Sequence, residues 1–164
     1  MSDKTPTIDE RSGAEPPAQA DQLLEPLPSM GRFRFDRLVG EGGMGRVYKA
    51  YDSNLQRWVA IKLLRSNDPV MLARFVREAR AQARVKHDHV CPVYQVEEED
   101  GIPFIVMALI DGVTLREGAD DMSLEDTVAV FIDAAEALHA GHTTGLIHRD
   151  IKPSNIMVEP SSQN

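Results

Sequence analysis

Three residues near the C-terminal end, Asp150, Lys152 and Asn155, stand at a spacing that suits phosphoryl transfer. An aspartate can accept a hydroxyl proton, a lysine two residues on can steady a transferring phosphoryl group, and an asparagine three further on can offer an oxygen to magnesium. They sit in Leu146-Ile147-His148-Arg149-Asp150-Ile151-Lys152-Pro153-Ser154-Asn155-Ile156-Met157-Val158, a polar run between apolar segments that would otherwise be an ordinary surface turn. A second group is Gly40-Glu41-Gly42-Gly43-Met44-Gly45, with the spacing G-x-G-x-x-G. Taken alone it could be a hairpin turn, but glycines so spaced let a backbone approach phosphate and leave N–H groups free to donate. The residues after Gly45 narrow the choice. Arg46 to Tyr51 is strand-like rather than helical, Val59-Ala60-Ile61-Lys62 occupies the place where a dinucleotide fold needs an acid, and the loop lacks the G-K-[ST] of a Walker motif. A glycine flap between two antiparallel strands remains. Lys62 ends the apolar triplet Val59-Ala60-Ile61, where its ammonium can reach phosphate beneath the flap.

The elements that must carry these residues can be read from apolar periodicity. Phe33 to Tyr51 reads as two strands around the glycine loop, and Arg57 to Leu63 as a third after the turn formers Asp52-Ser53-Asn54. Met71, Leu72, Phe75, Val76, Ala79 and Ala83 make one stripe of an amphipathic helix. Arg74, Arg77, Arg80 and Arg84 fall on its other side. Glu78 projects at the edge of the stripe next to Phe75, so it needs a cationic partner. Lys62 is the natural candidate. Val93 to Val96 and Phe104 to Met107 form another strand pair, with a turn expected from Glu97 to Gly101. A second helix runs from Leu124 to His139 through Val128, Phe131, Ile132, Ala135 and Leu138, with Gly141 as its expected stop.

Composition sets the bounds. The chain has 164 residues and a net charge of −8, with one cysteine, Cys91, so neither an internal disulfide nor a zinc-finger cluster is available. The longest mostly apolar run, Pro103 to Ile110, is well short of the roughly 20 residues that span a bilayer. A cytoplasmic protein with no membrane segment is expected. Residues 1–30 carry five of the ten prolines, no aromatic residue and a net −4, the composition of a disordered tail. Residues 57–86 sum to +6 and residues 87–140 to −12. The basic block is the solvated face of a helix in an acidic protein, so no nucleic-acid partner is expected. His87-x-His89 and His139-x-x-His142 have no carboxylate or cysteine set beside them at ligand spacing, and no metal site is expected there.

Together these motifs resemble the eukaryotic-type serine/threonine protein kinase family, and the run Gly40 to Asp52 is similar to its bacterial members. The resemblance covers residues 31–160. It implies an α+β, protein-kinase-like fold: a complete β-rich N-lobe at 31–109, with five strands and one regulatory helix, and a hinge and partial helical C-lobe at 110–164. It implies Mg2+ and ATP as cofactors and a Ser/Thr-bearing protein as substrate. Val39, Gly40, Gly42, Gly43 and Gly45 would then cover ATP, with Lys62 holding the α and β phosphates while paired to Glu78. Val47, Ala60 and Met157 would sandwich the adenine. Met107 resembles the gatekeeper, with the backbone of Ala108 and Ile110 on the adenine edge. Asp150 would take the substrate proton, Lys152 would neutralise the γ phosphate and Asn155 would ligate magnesium, while Arg149 resembles the arginine that reads a phosphorylated activation loop. Gln82 stands where the family usually has an apolar residue and is expected to loosen the helix.

Nine residues lie beyond Asn155, whereas the family's D-F-G motif begins some thirteen residues after it, so a truncated kinase domain with little or no autonomous transfer is expected. A partial lobe would leave the apolar face of the Leu124 to His139 helix uncovered. Two rival readings stand beside this one. The first is a non-catalytic nucleotide-binding pseudokinase module that docks to a partner such as another kinase chain. The second is a small-molecule phosphotransferase, ranked last because such relatives usually lack a lysine at the position of Lys152.

Overall fold

The computed structural model describes residues 28–42, 45–66 and 68–159; the expected disordered tail through residue 27, and Gly43 of the glycine loop, lie outside the described residues. Six antiparallel strands form one sheet: β1 (Ser29–Met30), β2 (Phe33–Gly42), β3 (Gly45–Asp52), β4 (Arg57–Leu64), β5 (Val93–Glu99) and β6 (Ile102–Met107), in the order β1-β2-β3-β4-β6-β5. The sheet thus gains a strand over the five expected, and the boundary placed after residue 30 falls within the fold. Met30 is the reason. It is buried in the same cluster as Phe33, Ala50, Val59, Ile61, Phe104 and Val106, and draws the chain before Gly31 onto the edge of β2.

Residue alternation splits the sheet into two faces. Val59 and Ile61 of β4 face that cluster, together with Phe104 and Val106 of β6; Leu64, Ile105 and Met107 face the opposite way, onto helix α1 (Pro69–Gln82). Asp68 caps α1 by accepting the Val70 N–H at 2.9 Å, and proline opens its first turn. The helix buries Phe75 and Ala79 against Ile105, as the stripe predicts. Burial of a side chain such as Phe75 contributes roughly 1.5–3 kcal/mol.

The one fully buried charge in the described core, Asp52, ends β3. It accepts from the N–H groups of Asn54 (2.9 Å) and Leu55 (3.2 Å) and from Arg32, whose guanidinium also reaches Glu97 and Gln95. Burial pushes its carboxyl upward, but these donors outweigh burial and hold it below the usual carboxylate range. The β5–β6 turn differs from the expected span. It is only Asp100-Gly101, both at positive φ (51° and 78°), and Glu97 to Glu99 continue the strand. Positive φ at both central residues is the type I′ geometry that matches strand twist, and Asp-Gly favours it over a longer acidic loop.

After β6 the chain enters β7 (Val113–Thr114), the short helix α2 (Leu115–Gly118) and the 20-residue helix α3 (Leu124–Thr143); β7 pairs with β8 (Met157–Val158). Gly141 does not end α3. It is buried within the helix, and its carbonyl accepts from Leu146 N–H while that of His142 accepts from Gly145 N–H. That is a Schellman stop, with Gly145 (φ 80°) as the left-handed residue. Leu124, Val128, Phe131 and Ile132 of α3 are solvent-exposed, Leu124 by 81%.

Candidate functional site

Strand register assembles the first half of the site. Gly40 lies opposite Val47, Val47 opposite Lys62, and Lys62 opposite Ile105. In the next row Lys49 faces Ala60, and Ala60 faces Met107. Opposed residues share a sheet face, and Ile105 and Met107 mark it as the face that carries α1. Val47, Ala60, Lys62 and Met107 are therefore brought together from three strands. Val39 is exposed at a register shift between Leu38 and Gly40, a bulge that re-aims the strand into the loop.

The glycines divide by what holds them. A Cβ on Gly45 would stand 2.0 Å from the Leu63 carbonyl oxygen, so close packing of β3 on β4 alone demands glycine there. At Gly42 nothing lies within 4 Å, and at Gly40 only Val47 at 3.9 Å. Neither of these two is required by the packing, which leaves an open backbone surface for a ligand. Between them Glu41 is fixed by Arg46 (3.3 Å) and by a short ion pair to Arg65.

The second half is one connected cluster. Asp150 Oδ2 accepts from Lys152 Nζ at 2.8 Å and from Asn155 Nδ2 at 3.1 Å, and the same amide nitrogen donates to the Asp150 carbonyl at 2.8 Å. Both Asn155 bonds use its nitrogen, so its oxygen stays uncommitted and suits a hard cation. The hydrogen bond from Lys152, opposed by slight desolvation and helped by Asn155, holds the Asp150 carboxyl below the usual range. Arg149 supports the loop with a left-handed backbone, φ 65°, which costs a non-glycine residue roughly 1–2 kcal/mol. A turn at Pro153–Asn155 then leads into β8, where Met157 pairs with Thr114 just past the hinge. A Cβ on Gly112 would meet the Val158 carbonyl oxygen at 2.3 Å, so the chain before β7 and the end of β8 are in close backbone contact.

Residues 33–164 match the family model described as the protein kinase domain. The chain belongs to that family. This kinase domain is 43% identical over 136 residues to the serine/threonine-protein kinase PknE of Mycobacterium tuberculosis, covering 78% of the chain and 24% of PknE. It is 40% identical over 151 residues to a probable serine/threonine-protein kinase of Streptomyces coelicolor, covering 86% of the chain and 22% of that protein. The chain thus spans about a quarter of the length of these curated relatives. Among solved structures it is similar to PpkA-294 in its apo form (TM-score 0.71, 28% identity, 82% of this chain and 58% of that one). It also matches the Mycobacterium tuberculosis PknI kinase domain (TM-score 0.67, 30% identity, 80% and 57%). The α+β fold of this kinase domain is that of the family.

Within the kinase domain one expected contact is replaced by another. Glu78 has its cationic partner, but that partner is Arg74, one turn earlier on α1, at 2.8 Å. Lys62 has no ion pair among the described residues. The helix itself offered Glu78 a nearer guanidinium, since residues i and i+4 are neighbours on a helix surface. Gln82 also differs from expectation: its amide donates to the Cys91 carbonyl at 3.1 Å and anchors the end of α1 to the chain before β5. At the hinge the Ala108 N–H is taken by the Pro92 carbonyl (2.9 Å), and the Cys91 thiol, pushed up by burial, lies 3.6 Å from the Ala108 oxygen. Hydrogen bonding at Ala108 is thus left to its carbonyl, which has a second lone pair. Among the described residues, no helix is long and apolar enough to cross a membrane.

Proposed function

We propose that this kinase domain binds Mg-ATP and transfers its γ-phosphoryl group to serine or threonine hydroxyls of a protein substrate. The observation that carries this reading is the Asp150 carboxylate held between Lys152 and Asn155. Gly40 and Gly42 bring the open β2 backbone over the phosphates, Gly45 closes the hairpin, and Val39 flanks the same loop. Lys62 places its ammonium on the α and β phosphates. Val47, Ala60 and Met157 hold the adenine, Met107 stands at the back of its pocket, and the Ala108 carbonyl and Ile110 backbone meet its edge. Asp150, ionised at neutral pH, orients the substrate hydroxyl and accepts its proton as the oxygen bonds to phosphorus and ADP leaves. Lys152 neutralises charge on the transferring group. Magnesium, held through the free Asn155 oxygen, would supply charge neutralisation on the phosphate oxygens.

A second reading, a pseudokinase module that binds nucleotide and docks to another kinase chain, is favoured by one observation: Glu78 is engaged by Arg74 and not by Lys62. The test has two arms. Mg-ATP should raise the thermal midpoint of the chain, because a ligand that binds only the folded state stabilises it, and Lys62→Met should remove most of the rise. In a kinase domain completed through the D-F-G segment, labelled ATP should then transfer phosphate to a Ser/Thr protein substrate, a transfer abolished in Asp150→Asn. Binding without transfer selects the second reading, and no midpoint rise refutes both.

A further inference from the structure

We propose that His89, Asp133 and Glu136 form a binding site for a divalent transition-metal ion, with zinc as its probe, where the loop after α1 meets the middle of α3. One nitrogen and two carboxylate oxygens, one atom from each residue, lie within 4.8 Å of one another. His89 Nδ1 is 3.6 Å from Asp133 Oδ1. That separation is too long for a hydrogen bond. It is close to the edge of a tetrahedral coordination sphere, about 3.3 Å when each ligand is about 2.0–2.1 Å from zinc. The side chains are exposed or half-buried and can rotate the remaining distance.

Three further features point the same way. Asp133 and Glu136 are three residues apart on α3, so two like charges share one helix face, and neither has a lysine or arginine partner among the described residues. A bound dication removes that repulsion. His87 accepts the His89 N–H on its own Nδ1 at 3.2 Å, and the two rings meet edge to face at 5.5 Å. His87 therefore positions the loop, while His89 is aimed at Asp133. His139, on the next turn of α3, borders the same groove as His87 and Glu136 but lies outside the three-residue cluster, so the fourth coordination position falls to water. Imidazole beside carboxylate suits zinc and its neighbours, whereas magnesium and calcium prefer an all-oxygen set. The site is separate from the phosphoryl-transfer residues, so it stands or falls apart from the function proposed above. A bound ion would tie the segment after α1 to α3.

The test is calorimetric titration of the full chain with zinc chloride and with magnesium chloride, with thermal midpoints recorded in parallel. One zinc per chain should bind saturably and raise the midpoint, while magnesium should leave it unchanged. His89→Gln and Asp133→Asn should each weaken zinc binding at least tenfold, since even loss of an outer-shell partner costs roughly 10- to 100-fold. His142→Gln, outside the cluster, should bind as the parent does. Absence of saturable binding overturns the proposal. So does equal affinity in His89→Gln and Asp133→Asn to that of the parent, which would place the ion elsewhere.

Discussion

Arg74→Met tests whether the Arg74–Glu78 pair is a lock or a weak resting contact. The substitution removes the guanidinium but keeps a long side chain of similar helix propensity, so α1 itself should persist. The pair is 2.8 Å long, but its side chains are 42% and 40% exposed, so solvent screens most of the attraction. Exposed i,i+4 pairs contribute about 0.3–0.5 kcal/mol, and the order here, base before acid, is the less favourable one. Release of Glu78 toward Lys62 should therefore tighten Mg-ATP binding by only about twofold, since about 0.4 kcal/mol at RT ≈ 0.59 kcal/mol is a factor near 2. Calorimetric dissociation constants in low salt measure this directly. The gain should shrink in about 1 M salt, where the screening length falls to roughly 3 Å. In a Glu78→Gln background Arg74→Met should do nothing, which completes a double-mutant cycle. A change beyond about tenfold, or about 1.4 kcal/mol, would refute the weak-contact reasoning. Weaker ATP binding in Arg74→Met would refute the idea that Arg74 competes with Lys62 at all.

Gly45→Ala should lower stability by at least about 1–3 kcal/mol in urea denaturation, because its Cβ would meet the Leu63 carbonyl at 2.0 Å. Gly42→Ala, with nothing within 4 Å, should leave stability nearly unchanged and weaken ATP binding instead. Asp52→Ala should cost about 2–3 kcal/mol by loss of hydrogen bonds to a charged acceptor. Because the folded carboxyl of Asp52 is depressed, its contribution to stability is present above the unfolded value of about 3.9 and is lost as pH falls through the lower folded value. Urea midpoints of parent and Asp52→Ala should therefore converge only in acid. Asp150 is likewise held low, so any phosphotransfer should show no acid limb from this residue above about pH 4, and an apparent pKa near 6 assigned to Asp150 by a pH–rate profile would contradict the Lys152 contact.

What was legible in the sequence is what local rules determine. The apolar triplet put Val59, Ala60, Ile61 and Lys62 on one strand, and the α1 stripe found Phe75 and Ala79, because burial on a helix has a fixed period. The Asp150, Lys152 and Asn155 cluster was legible because its members are within five residues and close on one another through a short turn. Three features were not. Met30 joined the sheet because one residue at the end of a proline-interrupted segment reached the core, a signal below any composition average. Asp100-Gly101 is a turn signal as a dipeptide, but the acids before it read as loop in sequence and are strand in the fold. The approach of His89 to Asp133 joins residues 44 positions apart, and only the packing of the loop against α3 creates it.

The partner exchange at Glu78 shows why motif spacing alone does not determine the state of such a site. Everything that fixes α1 in place is strong or redundant: the Asp68 cap, Phe75 and Ala79 buried on Ile105, and the Gln82 amide on the Cys91 carbonyl. The contact that decides where the Glu78 carboxylate points is a half-exposed i,i+4 ion pair. The backbone can thus be that of a kinase N-lobe while the Lys62 and Glu78 charges stay apart. If a rotamer change at Glu78 suffices to bring them together, the cost is loss of a half-exposed pair, about 0.3–0.5 kcal/mol, which a ligand with a modest preference for the paired state can meet. If ATP affinity were instead limited by movement of α1 itself, Gln82→Ala, which frees the helix end from Cys91, would alter binding more than Arg74→Met. The ordering of those two variants separates a side-chain switch from a helix shift.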